Sequence, residues 1–165
     1  MIKNIQKEHM KAVAVFNGNK IKGTVHFTEE NDGRTIRIDV DLVGLTKYHR
    51  HGFHIHEYGD LTQDCESMCA HFNPYGKNHG GLLSRERHAG DLGNLETDAH
   101  GRVKCTIHTR LIKLRGYVAN IVGRGLIIHA DEDDEGLGNN EASLINGNAG
   151  KRIACAVIGY ASGCG

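Results

Sequence analysis

Apolar residues recur at every second position through much of this chain, and that period limits what the chain can fold into. In KIKGTVHFTEE, Ile21, Gly23, Val25 and Phe27 alternate with Lys20, Lys22, Thr24, His26 and Thr28; in TIRIDVDLVGL, Ile36, Ile38, Val40 and Leu42 repeat the pattern. Period two puts successive side chains on opposite faces of a strand, whereas a helix needs apolar residues three and four apart. The helical alternative fails on that ground. NDGR between the two segments is a hairpin turn, and Asn17-Gly18 closes an earlier apolar run, KAVAVFNG.

The alternation continues through HGFHIHEY. GNLETDAHGRVKCTIHTRLIKL reads as a strand pair about the turn Asp98–Gly101, with Val103, Cys105 and Ile107 on one face. IVGRGLIIHA ends at His129, and KRIACAVIGYA sets Ile153, Cys155 and Val157 outward against Ala154, Ala156 and Ile158. About eight short strands with two long loops, 60–92 and 131–150, make an all-β sandwich or barrel. A few turns of helix fit within 131–145. A chain of 165 residues is about one domain; it is placed at 10–165, with 1–9 as a loose extension, because Ile2 and Ile5 join no apolar pattern.

Twenty basic residues balance twenty acidic ones, so bulk charge gives no reason for a nucleic-acid partner. No apolar run reaches the roughly 18 residues of a membrane span, and MIKNIQKEHMK lacks the apolar centre of a secretory signal. The chain therefore reads as cytoplasmic, without a membrane partner; a mature secreted protein stripped of its signal would look the same. The cysteines are Cys65, Cys69, Cys105, Cys155 and Cys164, an odd set that leaves at least one outside any intrachain disulfide.

The chemistry concentrates between His51 and Asp91, where His51, His54, His56, His71, His79 and His88 precede the aspartate. On a strand, His54 and His56 share one face while Phe53 and Ile55 take the other, and two imidazoles about 7 Å apart can reach one ion between them. The remaining histidines occupy the loop 60–92, too long to be idle in a compact domain. Each residue also has a plain alternative. A single His-x-His pair is more often structural, His51 reads as a hydrogen-bonding residue at the start of its strand, and the acidic run 131–135 reads as a solvated loop. His9, His26, His49, His100 and His108 read as surface residues. Without His51 and together with His129, however, the cluster offers seven ligands, more than one zinc ion takes, so two sites or a shared ligand fit the arithmetic better.

GFHIHEYGD, HFNPYGKNHGG, RHAGDLGN, GRGLIIHA and GNAGKRIACAVIGYA together resemble the copper/zinc superoxide dismutase family, in order and in spacing, over residues 10–161. The resemblance implies an eight-stranded Greek-key β-barrel or sandwich and an enzyme that turns superoxide into oxygen and hydrogen peroxide through alternate reduction and oxidation of copper. It places copper on His54, His56, His71 and His129 and zinc on His71, His79, His88 and Asp91, with His71 shared and active in proton delivery. Asp133 becomes the carboxylate behind His54 and His79, since outer groups of this kind fix ring orientation. Arg152 becomes the catalytic cation that attracts the anion, and Cys65 pairs with Cys155. Without the resemblance, Arg152 is simply an arginine at a strand start.

Cys69, Cys105 and Cys164 match nothing in that scheme, although Cys69 lies near enough to Cys65 to compete for Cys155, and Cys65, Cys69 and His71 could also be read as a thiolate site. Ala142 and Ile145 stand where the family commonly has a glutamate and a lysine, which implies weaker long-range guidance with Arg152 as the main attractor. The resemblance admits a homodimer through surfaces near VGRG and the last strand, where Val122, Gly123 and Ile158 are compatible; the bulky Tyr160 leaves a monomer open. It also admits a copper chaperone as partner. The rival classes are a metal buffer without turnover and a zinc-stabilised structural domain; Arg152 and the complete copper set argue against both.

Overall fold

A computed structural model describes residues 9–163. Each alternating segment forms a strand: β1 (Lys11–Asn17), β2 (Lys22–Glu29), β3 (Ile36–Val43), β4 (Arg50–His56), β5 (Thr62–Cys65), β6 (Asp91–Glu96), β7 (Val103–Thr109), β8 (Gly125–His129), β9 (Arg152–Val157) and β10 (Gly159–Tyr160). They make an antiparallel five-stranded sheet, β10-β1-β2-β3-β7, and a four-stranded sheet, β6-β4-β8-β9. β3 lies beside β7 and β4 beside β8, a Greek-key order in which sheet neighbours are distant in sequence. The expected eight strands are all present; β5 and β10 are short additions, four and two residues long. The only α-helix among the described residues is a single turn, α1 (Ser143–Asn146), beside one 3-10 turn at Glu66–Met68, and no described helix is long and apolar enough to cross a membrane. Residues 1–8 of the expected extension lie outside the described residues, as does Cys164.

The core is the sum of the inward faces. Ala12, Ala14 and Phe16 of β1, Val25 and Phe27 of β2 and Ile36, Ile38, Val40 and Leu42 of β3 meet Phe53 and Ile55 of β4 and Leu126 and Ile128 of β8. β1, β2 and β3 alternate buried with less buried positions, as one wet face requires. β4 and β8 do not: nearly every residue in them is buried, because the two long loops fold across their outer face. That covered outer face carries His54, His56 and His129.

Two expectations change. β6 and β7 do flank the Asp98–Gly101 turn, but they are not paired with each other: β6 joins β4, and β7 joins β3. The turn hydrogen-bonds sideways, with Leu45 N–H donating to Gly101 O and Tyr48 N–H to Asp98 O (both 3.1 Å), so it forms a corner between the sheets. Ile158 is fully buried rather than at a subunit surface; its neighbours Val157 and Tyr160 face outward instead.

Candidate metal centre

Local features of β4 and its neighbours bring the histidines together. β4 changes register against β6 between Gly52 and His54, and β8 changes register against β9 between Ile128 and His129. Such bulges re-aim side chains beside functional sites. The loop after β5 is drawn back along β4 by an isolated bridge between His56 and His71, by Phe72 N–H donating to Ile55 O (2.8 Å) and by Glu57 N–H donating to Ala70 O (2.9 Å). The Cys65–Cys155 disulfide ties the same loop to β9, with Cα atoms 5.7 Å apart across 90 residues of sequence. Cys69 and Cys105 are free and exposed, so Cys69 does not displace Cys65 from Cys155.

His54, His56, His71 and His129 offer ring nitrogens that all lie within 4.8 Å of one another. The ring orientations are set from behind. His54 donates from Nε2 to Asp133 Oδ2 (2.7 Å), His56 from Nδ1 to Cys69 O (2.8 Å) and His129 from Nδ1 to Gly150 O (3.1 Å). A proton fixed on one nitrogen leaves a lone pair on the other. Those other nitrogens, His54 Nδ1, His56 Nε2 and His129 Nε2, are buried without any hydrogen-bond partner. Buried polar atoms are nearly always satisfied, so three converging lone pairs are a cation site in the chemical sense, and all-imidazole donors suit copper.

The second group centres on Asp91, which is fully buried. His71 Nδ1 lies 2.9 Å and His88 Nδ1 3.2 Å from Asp91 Oδ1, and His79 Nδ1 lies 3.1 Å from Oδ2. His54 also comes within 4.8 Å of His71, His79 and Asp91. Its Nε2 is committed to Asp133, however, whereas His88 aims Nδ1 to within 3.4 Å of His71 Nδ1. Donor direction therefore gives this group three imidazoles and one carboxylate, the ligand types and number of a closed zinc site. His71 belongs to both groups: Nδ1 faces Asp91 and His88, which leaves Nε2 for the first.

Charge reinforces the arrangement. Burial opposes ionisation of Asp91, but contacts with His71, His79 and His88 outweigh it and hold the carboxyl well below the usual range. Asp133 is held low in the same way by His54 and His79. Burial would also lower His79, yet Asp133 (2.7 Å from Nε2) and Asp91 raise it to about 9. Burial pushes His54 and His56 well down, with the neighbouring His71 adding to it, and lowers His71 itself. His129 falls to about 4, again chiefly through burial. Neutral rings with free lone pairs are the form in which imidazole binds metal.

Arg152 lines a cavity of about 660 Å³ that also reaches His56, His71 and His129. Its guanidinium is fixed by Cys65 O (2.7 Å) and Cys69 O (2.5 Å), so the loop tethered by the disulfide also aims the cation. His51 is buried and donates from Nδ1 to His129 O (2.7 Å), the structural part expected of it. His49 is not a plain surface residue: it is half-buried, with Nε2 donating to Ala130 O (3.0 Å).

Two contributors had no sequence signal. Asn94 holds Asp133 by a reciprocal pair of bonds, Asp133 N–H to Asn94 Oδ1 (2.8 Å) and Asn94 Nδ2 to Asp133 O (2.9 Å). Gly147, at φ +68°, lets the chain pass so close to the Asp133–His79 contact that any Cβ would run into both side chains. Its position directly after α1 is the usual place for a left-handed glycine.

Comparison with known proteins agrees with this geometry. Residues 21–158 match the family model described as copper/zinc superoxide dismutase (SODC). The Cu-Zn superoxide dismutase of Paramecium bursaria Chlorella virus 1 is 55% identical over 150 residues, covering 91% of this chain and 78% of the viral protein. That of Schizosaccharomyces pombe is 48% identical over 153 residues, covering 92% and 99%. Among solved structures, the clock protein EA4 superposes with a TM-score of 0.87 at 37% identity, covering 92% of this chain and 94% of that one.

Proposed function

This chain belongs to the copper/zinc superoxide dismutase family, and from that premise we propose which of its residues carry the reaction. Bound copper supplies the one-electron cycle that oxidises one superoxide to oxygen and, with two protons, reduces another to hydrogen peroxide, while zinc supplies no redox chemistry. His54, His56, His71 and His129 hold the copper; His71, His79, His88 and Asp91 hold the zinc. The observation that carries this assignment is the trio of buried, unpartnered nitrogens on His54, His56 and His129, each opposed by a ring nitrogen already bonded.

The protein's own part is positional. Arg152 attracts superoxide and orients it over the imidazoles, from a guanidinium that two carbonyls keep from swinging away. His71 moves the proton: with Nδ1 turned toward Asp91, Nε2 is the atom that accepts it and gives it up to the product. Asp133 keeps His54 and His79 in the tautomers that point lone pairs inward. The decay of superoxide over protein loaded with copper and zinc, with His129→Ala as control, tests this reading. Catalytic decay in the parent and none in the variant supports it; tight metal binding without turnover makes the protein a metal buffer.

We place the functional domain at 10–165, supported by β1 starting at Lys11 and pairing with β10. Homodimer formation is proposed through the outward side chains of Val15, Val157 and Tyr160, 57%, 36% and 59% exposed; sedimentation equilibrium of Tyr160→Asp against the parent tests it. Copper loading by a chaperone and a cytoplasmic setting are proposed on the family resemblance alone, with cell fractionation and chaperone deletion as their tests.

A further inference from the structure

On the function proposed above, the cavity above the histidines is the anion's way in. Ala142 and Ile145 both line it, so the two positions without charge face the substrate directly. Charge reaches this cavity from Arg152, Lys151 and Glu66. Glu66 lies 3.9 Å from Arg152 Nε, a loose pair that offsets part of the arginine's field. Lys151 is exposed and makes no ion pair among the described residues. Its backbone is fixed, because Ala130 N–H donates to Lys151 O (2.7 Å). The uncompensated cation at the mouth is therefore the lysine.

We propose that Lys151 is a second anion-guiding residue of this chain, supplying from position 151 the cationic charge that position 145 lacks. Arg152 then holds the superoxide over the imidazoles, and the exposed Lys151 raises its concentration at the entrance. This assignment rests on the function proposed above. It also adds a second cation to the expectation, drawn from Ala142 and Ile145, of weaker long-range guidance with Arg152 as the main attractor.

One unit charge at about 8 Å in a water-like medium changes the local concentration of a monovalent anion by about twofold. At 0.15 M salt, with a Debye length of about 8 Å, the same charge is worth only about 1.4-fold. The test measures superoxide decay by the loaded parent, Lys151→Gln, Lys151→Glu and Lys151→Arg from low to physiological ionic strength. Expected at low salt are losses of about twofold for the glutamine variant and five- to sixfold for the glutamate variant. The arginine variant should retain the parent's rate, and all the curves should converge as salt rises. Equilibrium titration with azide, an unreactive monovalent anion, gives a readout independent of turnover and should follow the same order.

Equal rates and equal azide affinities for parent and Lys151→Gln overturn the assignment. So does a loss that is the same at every ionic strength, which is a structural effect rather than a field. A loaded parent without superoxide turnover instead overturns the proposed function, and the azide series still decides the case of Lys151.

Discussion

Replacing Asp133 by asparagine removes one charge and almost no volume, which makes it a sharp probe of the centre. The carboxylate is 1% exposed, and its two oxygens each lie 2.7 Å from a ring nitrogen, Oδ2 from His54 and Oδ1 from His79. Glu135 N–H donates to Oδ1 as well (2.7 Å). Asparagine has one acceptor oxygen and one donor group, so in either orientation one imidazole N–H faces an N–H. Relief requires that ring to move its proton to the nitrogen needed for metal. Outer-shell losses of this kind cost about 10–100-fold in metal affinity, or about 1.4–2.8 kcal/mol. Competition against a graded series of chelators reads this directly for copper and zinc in the Asp133→Asn protein. Affinities of both metals within roughly threefold of the parent would refute the idea that Asp133 sets the tautomers.

Cys155→Ser opens a loop with a sequence separation of 90, for which closure entropy is worth about 4–5 kcal/mol. Chemical denaturation should show most of that loss, and a change below about 1 kcal/mol would contradict it. Gly147→Ala places a Cβ against Asp133 and His79 at φ +68°, and should cost more than the about 1–2 kcal/mol of left-handed strain alone while lowering zinc affinity. A neutral result in denaturation and zinc competition would remove the close approach from the account. The metal-free protein should be most stable near pH 6.5. His79, raised to about 9 from 6.5, contributes stability that is complete below 6.5 and lost as pH climbs through 9. The buried His54, His56, His71 and His129, all lowered, make the unfolded chain bind more protons below 6.5, so stability also falls on the acid side. Melting of chelator-treated protein across pH tests this, and stability that keeps rising from 6.5 through 9 would be the contrary result.

The strands with one wet face were legible in the sequence because a half-buried strand writes its period directly into residue order, as β2 and β3 do. β4 and β8 show less of it, since loops distant in sequence bury their second face. For the same reason residue order does not reveal the partners of β6 and β7: the turn between them is local, but the choice of sheet depends on contacts with residues 45–48. The proposed metal residues were legible as types and as a cluster, whereas their division between two groups came from resemblance and then from ring orientation. Asn94 and Gly147 were invisible because a single asparagine or glycine carries no spacing signal; each matters only through what the fold sets beside it. Lys151 was hidden for a related reason, as a lysine next to an arginine reads as ordinary surface charge until the cavity is seen.

On the proposed function, one imidazole, His71, joins two metal sites of different chemistry. Crystals of the copper- and zinc-loaded protein, measured above and below each metal's absorption edge, test it most directly. The expected result is a copper peak among His54, His56 and His129, a zinc peak among His79, His88 and Asp91, and His71 bonded to zinc through Nδ1 and to copper through Nε2. A single metal peak, or a His71 ring bound to neither or only one metal under both oxidising and reducing conditions, would contradict it.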